Sequence, residues 1–274
     1  MKIGVRSGPL RLKDDFPALL TWLAENGYTS VDLPEPNAEI VRRCAQLGLQ
    51  PGSVDLPGVG ALLSPDAERR QAAVKQVTEG ARVAVDLGLK TWFVCFNPED
   101  KTRSRADNFG FWCDVMPRLM EDIEALGMRV AMEGWPGGGP NYPTLGCTPE
   151  MWRAMFSAVP SPALGLCYDP SHLVRLGIDP MRVIKEFGAR IHHVHGKDCA
   201  IDPEELYLQG RLPQTFGSPR FACSEGWWRY CIPGCGEVDW TRVAVALEAA
   251  GYQGVVSVEL EDGIYMADHE GNRK

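Results

Sequence analysis

Residues 190–199 read RIHHVHGKDC. The run alternates like a buried strand, yet it packs three of the chain's five histidines into four positions and ends in a lysine and an aspartate. In a closed barrel of parallel strands the C-terminal strand ends converge on one face, so polar residues at the end of an apolar strand point into a shared site. The sequence around this stretch repeats the same design. Short apolar runs alternate with loops and helical stretches, giving eight candidate strands: KIGVRSG, TSVDLP, GSVDLP, TWFVCFN, RVAMEG, LGLCYDP, IHHVHGKD and GVVSVELED. Between them, helical spacing is read at Phe16, Leu19, Leu20 and Leu23, at Ile40, Val41, Cys44 and Leu47, and over 66–87, 111–126, 149–159, 180–187 and 239–250. Gly27, Gly48, Gly88, Gly127, Gly188 and Gly251 stand where helices should end in a left-handed residue. The first βα turn, SGPLRLKDD, lacks the glycine fingerprint of a doubly wound dinucleotide-binding sheet. The reading is therefore an α/β chain, a single (β/α)8 TIM-barrel domain over residues 1–274.

Bulk properties agree with one domain and with small-molecule chemistry. At 274 residues and 45% hydrophobic content the chain has enough material for one large core. A net charge of −8 works against capture of nucleic acid or an anionic membrane surface. No apolar run is long enough to span a bilayer, and nine scattered cysteines suit reduced thiols, so a cytoplasmic protein is expected. Cys231 and Cys235, with Cys223 upstream, have metal-like spacing but no fourth ligand nearby. Two irregularities stand out. Residues 200–234 form a connection of a length usually reserved for lids and binding loops. After the eighth strand only GIYMADHEGNRK follows, so the eighth helix is expected to be missing or truncated, with a second copy of the chain covering its place in a homo-oligomer.

Four of the strands end in a residue able to bind a metal: Glu133, Asp169, His195 and Glu259, on strands five to eight. A lone acid at a strand end is more often a cap or a surface charge. Three acids and a histidine on neighbouring strands are different, because their mutual repulsion calls for a cation. The mixed oxygen and nitrogen donors suit one divalent ion, manganese first, with magnesium, cobalt or zinc as alternatives. His193 shares the inner side of the strand with His195 but lies deeper, and His192 should face the helices.

The stretches MEG, CYDPSHL, HHVHGKD, PGCGEVDW and SVELED, in this order and spacing, resemble the sugar phosphate isomerase/epimerase family of xylose isomerase-like TIM barrels. The resemblance implies a divalent ion on Glu133, Asp169, His195 and Glu259, and a carbohydrate substrate held through adjacent hydroxyl and carbonyl oxygens. It further implies that Glu133 and Glu259 are the catalytic pair, abstracting and returning a proton next to a carbonyl through a metal-stabilised enediolate. His172, Lys197, Asp198 and Trp135 are the expected substrate contacts. One departure weighs against a simple free-ketose 3-epimerase: six residues beyond Glu133, where those enzymes carry a glutamate, stands Gly139. The same enediolate opens a lyase or dehydratase route, of the kind that dehydrates an inosose or cleaves a 3-oxo-glycoside, and a non-catalytic subunit is a more remote reading. Endonuclease IV-type repair enzymes share the barrel but need histidines on strands three and four, which here end in SVDLPG and FVCFNP.

Overall fold

The computed structural model describes residues 1–7, 15–139 and 141–265. Eight parallel strands close into a barrel in the order β1-β10-β7-β6-β5-β4-β3-β2. They are β1 (Lys2–Arg6), β2 (Ser30–Leu33), β3 (Gln50–Asp55), β4 (Thr91–Val94), β5 (Arg129–Glu133), β6 (Leu164–Tyr168), β7 (Ile191–Gly196) and β10 (Val255–Val258). All eight expected strands are present, and barrel closure leaves no open sheet edge to cover.

Helices α1 (Phe16–Glu25), α2 (Ala38–Gln46), α4 (Ala67–Asp86), α5 (Arg105–Ala125), α6 (Pro149–Ala158), α8 (Pro180–Phe187) and α10 (Trp240–Ala249) lie where helical spacing placed them. The long α5 starts six positions ahead of its apolar stripe, because Ser104 caps it by accepting the Asp107 N–H at 3.0 Å. Their buried faces pack on the outside of the barrel in one continuous core that includes Leu19, Val77, Trp112, Met155 and Leu247. Five of the six expected helix-ending glycines have positive φ; Gly188, at φ −51°, instead runs on into a 3-10 turn.

The connection between the seventh and eighth barrel strands is more ordered than expected. It contains β8 (Asp198–Ile201), α9 (Pro203–Gln209) and β9 (Trp228–Cys231), and β8 and β9 pair antiparallel over the barrel mouth. Strands of four residues with no clean alternation give sequence little to read. The expectation about an eighth helix falls mostly on 266–274, outside the described residues. Short α3 (Val59–Leu62) and α7 (Pro170–Leu176) complete the set, and α7 follows directly on the end of β6.

Candidate metal centre

Glu133, Asp169, His195 and Glu259 meet at the C-terminal mouth of the barrel, with one donor atom from each lying within 4.8 Å of the others. They come from four consecutive strands of the closed order, β5, β6, β7 and β10, so Glu133 and Glu259 stand at the two ends of an arc. All four are buried. Local sequence sets each orientation. Asp169 caps α7: its Oδ1 accepts the Ser171 N–H at 2.9 Å and the Ser171 hydroxyl at 2.6 Å, and Pro170 fills the first helical position. That leaves Asp169 Oδ2 facing the centre without a hydrogen-bond donor of its own. His195 Nδ1 lies 2.5 Å from Glu133 Oε1 and 3.3 Å from Glu259 Oε2.

The surrounding charges form a second layer. Lys197 is 1% exposed, and its ammonium lies 2.6 Å from Glu259 Oε2, 3.0 Å from Glu261 Oε2 and 3.2 Å from Asp169 Oδ2. Burial alone would lower its pKa, but Asp169, Glu259, Glu261 and Glu133 outweigh burial and hold the ammonium charged. Burial pushes Glu259 up, and Lys197 and His195 pull it back to about 2. Glu133 is likewise held well below the carboxylate range by His195 and His172 against the effect of burial. His172 Nε2 stands 3.3 Å from Asp169 Oδ2 and 3.5 Å from Glu133 Oε2, while its Nδ1 meets the Tyr230 hydroxyl of β9 at 2.6 Å. Four carboxylates against Lys197 and the more distant Arg6, with buried Asp169 Oδ2 and His172 Nε2 facing one another without a hydrogen bond, fit a divalent cation.

The remaining expected contacts divide. His172 and Lys197 border the four-residue centre. Trp135 is half-buried and lines a cleft of about 240 Å³ with Asn97, Lys101 and Pro143. Asp198, expected to touch substrate, is turned to other work: Oδ1 accepts the N–H groups of Cys199 and Val238, and Oδ2 that of Gly234. Its carboxylate fastens the PGCGEVD turn, a backbone role that the KD motif gave no hint of. His192 faces outward as expected, its ring nitrogen 3.0 Å from the Pro162 carbonyl.

Sequence reading missed the far wall. Arg6 of β1 is buried and makes two contacts to Asp55 of β3, the closer at 2.5 Å; it stacks on Phe93 at 4.3 Å and stands 3.9 Å from Glu259. Cys95 donates its thiol to Glu133 Oε2 at 3.2 Å. Tyr230 and Glu225, from the mouth-covering segment, were also missed. A polar residue at the end of strands one and three was the available signal, but isolated acids and arginines at strand ends are too common to single out.

A family model described as the xylose isomerase-like TIM barrel matches residues 20–273. The chain belongs to that family. The uncharacterized protein YfiH of Bacillus subtilis (strain 168) is 34% identical over 159 residues, 55% of this chain and 47% of YfiH. The alignment thus spans about half of that relative's length. Inosose dehydratase of Geobacillus kaustophilus (strain HTA426) is 25% identical over 277 residues, 91% of this chain and 84% of the enzyme. The zinc-bound IolI protein shares the fold at TM-score 0.71 and 16% identity, over 100% of this chain and 94% of its own. The 3-keto-D-glucoside 4-epimerase YcjR of E. coli does so at TM-score 0.68 and 17% identity, over 99% and 97%. The chain is thus similar in sequence to an inosose dehydratase and in fold to a 3-keto-D-glucoside 4-epimerase. No helix among the described residues is long and apolar enough to cross a membrane.

Proposed function

We propose that the protein is a divalent-metal-dependent isomerase or epimerase of a sugar or keto-sugar, with Glu133, Asp169, His195 and Glu259 holding the ion and Glu133 and Glu259 moving the proton. The observation that carries this reading is the pair of buried glutamates at the two ends of one four-strand arc, both within reach of a single centre. When bound, the ion supplies Lewis acidity toward the oxygens of an α-hydroxy ketone. One glutamate takes the proton from the carbon beside the carbonyl. The C–H electron pair becomes the new C=C bond as the carbonyl pair moves onto oxygen, giving an enediolate. For isomerisation the same glutamate, now a carboxylic acid, gives its proton to the neighbouring carbon while the hydroxyl proton passes to the former carbonyl oxygen; for epimerisation the other glutamate delivers a proton taken from solvent to the opposite face and the first releases its proton to solvent. Lys197 keeps a fixed positive charge beside Glu259, and the Tyr230-bound His172 presents Nε2 toward the reacting oxygens. Asp198 stays with the turn that it fastens, and Trp135 offers an apolar ring at the edge of the mouth.

A second reading is favoured by the His172–Tyr230 pair together with the nearly full-length similarity to an inosose dehydratase. In that route the enediolate pair expels the hydroxyl on the next carbon, which leaves as water after receiving a proton from His172. The test is NMR and mass spectrometry of manganese-loaded protein in D2O with ketoses, inososes and 3-oxo-glycosides. Deuterium in a product of unchanged skeleton is the expected result. Loss of water or an aglycone replaces it with the lyase reading, and no exchange into any of these ketones removes both.

A further inference from the structure

We propose that Asp32, on the opposite side of the barrel, is a positioning residue that fixes the orientation and tautomer of His195, and that a bulge in β3 serves to hold its carboxylate there. The inference rests on the reading of His195 as a metal ligand. The strand register carries it first. Val31 pairs with Pro51 but Leu33 with Val54, so β3 contains one residue more than β2 across this step. A bulge frees a backbone N–H from the ladder, and bulges cluster beside active sites. Here the freed Ser53 N–H donates to Asp32 Oδ1 at 2.8 Å. Gly52, in the bulge, lies so close that a Cβ there would collide with the same oxygen and crowd Ser30 Oγ at 3.1 Å. Strand β2 is anchored at this point too, because the Ser7 hydroxyl donates to the Asp32 carbonyl at 2.7 Å.

With Oδ1 held, Oδ2 faces two imidazoles of β7: His193 Nε2 at 3.0 Å and His195 Nε2 at 3.6 Å. The two rings meet edge to face, 5.3 Å between centroids and 87° between planes. His193, clamped by Asp32, therefore blocks His195 from turning over. His195 is left with Nδ1 toward Glu133 and Glu259 and Nε2 toward a carboxylate. A neutral imidazole has one N–H, and the charge of the Asp32 carboxylate 3.6 Å from Nε2, beyond hydrogen-bond distance, favours the proton on that nitrogen, which leaves the Nδ1 lone pair free for a cation. A fully buried carboxylate is costly where an apolar side chain would serve packing as well. The bulge, the glycine and the carboxylate together make sense as support for the histidine.

The test uses zinc as a diamagnetic probe on the full chain after chelator treatment. Calorimetry gives zinc affinity for wild type, Asp32→Asn, Gly52→Ala and the double variant, and ¹⁵N–¹H spectra of the zinc-loaded proteins report the His195 tautomer. Each single variant is expected to bind zinc about 10- to 100-fold more weakly. The double variant is expected to be no weaker than Asp32→Asn, since Gly52→Ala acts only by displacing the carboxylate. Wild type should carry its His195 proton on Nε2. Folded Asp32→Asn protein with wild-type affinity and an unchanged Nε2–H overturns the inference while leaving the metal reading intact. So does a wild-type spectrum with zinc on Nε2, which needs no variant to fold. A wild-type chain that binds no divalent ion overturns both.

Discussion

Glu259 and Lys197 set the working charge of the centre between them. The ammonium 2.6 Å from Glu259 Oε2 holds that carboxylate at about 2, so it is ionised throughout the neutral range. Replacing it with glutamine keeps the shape and one oxygen donor but removes the ability to accept a proton. Glu259→Gln is therefore expected to lower deuterium wash-in at the carbon beside the substrate carbonyl by about 100- to 10,000-fold, the usual weight of general base catalysis. NMR exchange rates with folded, manganese-loaded variant provide the check, and an undiminished rate removes Glu259 from the catalytic pair. The matching residues on the other wall act differently. Arg6 is tied to Asp55, and Cys95 lends Glu133 only a weak thiol donor, so both shape the site without offering a proton near neutrality; burial and Glu133 raise the Cys95 pKa well above that of a free thiol.

At the scale of elements, the mouth is closed by the β8–β9 hairpin and the segment between its strands, and Glu225 joins that segment to the barrel loops while Asp262 holds Arg229 of β9. Glu225 accepts from Arg175 at 2.9 Å, from the Tyr142 hydroxyl at 2.9 Å and from the Gly139 N–H at 3.2 Å. Arg175 also donates to the Gly137 carbonyl and to Tyr230, joining α7, the loop after β5 and β9 in one network. Tyr142 is held at φ +43°, a left-handed value that a tyrosine tolerates only where its surroundings demand it. A Cβ on Gly139 would stand 2.9 Å from the Pro213 ring, so a side chain there requires the two loops to move apart. Glu225→Ala leaves Arg175 buried and unpaired, a change that costs about 3–5 kcal/mol locally. The expected outcome is a raised KM and faster proteolytic nicking within residues 211–222, with the barrel's far-UV spectrum unchanged. Wild-type KM and wild-type nicking would show that the segment is held by other contacts.

Across the whole molecule, the barrel was legible because most of its strands are short runs rich in apolar residues and its helices carry wide apolar faces with acid, amide or hydroxyl caps. The four-residue centre was legible for a related reason: Glu133, Asp169, His195 and Glu259 each end an apolar run, and four such endings on neighbouring strands are improbable without a cation. Asp32, Arg6, Glu225 and Tyr230 were not, since their meaning comes from a bulge, a closed strand order and a lid crossing that join residues far apart in sequence. The same concentration of charge predicts how the protein responds to metal removal. Lys197 hydrogen-bonds Glu259 and Glu261, stands 3.2 Å from Asp169 Oδ2 and feels the charge of Glu133. Any divalent ion that binds only the folded chain adds about 2.7 kcal/mol at a hundredfold excess over its Kd. For a domain of this size, about 2–4 °C of Tm accompanies each kcal/mol, so chelation should lower Tm by roughly 5–10 °C, and manganese should restore it. In Lys197→Met the acids lose their internal cation, and the gap between chelated and manganese-loaded Tm should widen. Calorimetry that finds the same Tm with and without chelator, in both wild type and the variant, would mean that these carboxylates do not hold an ion.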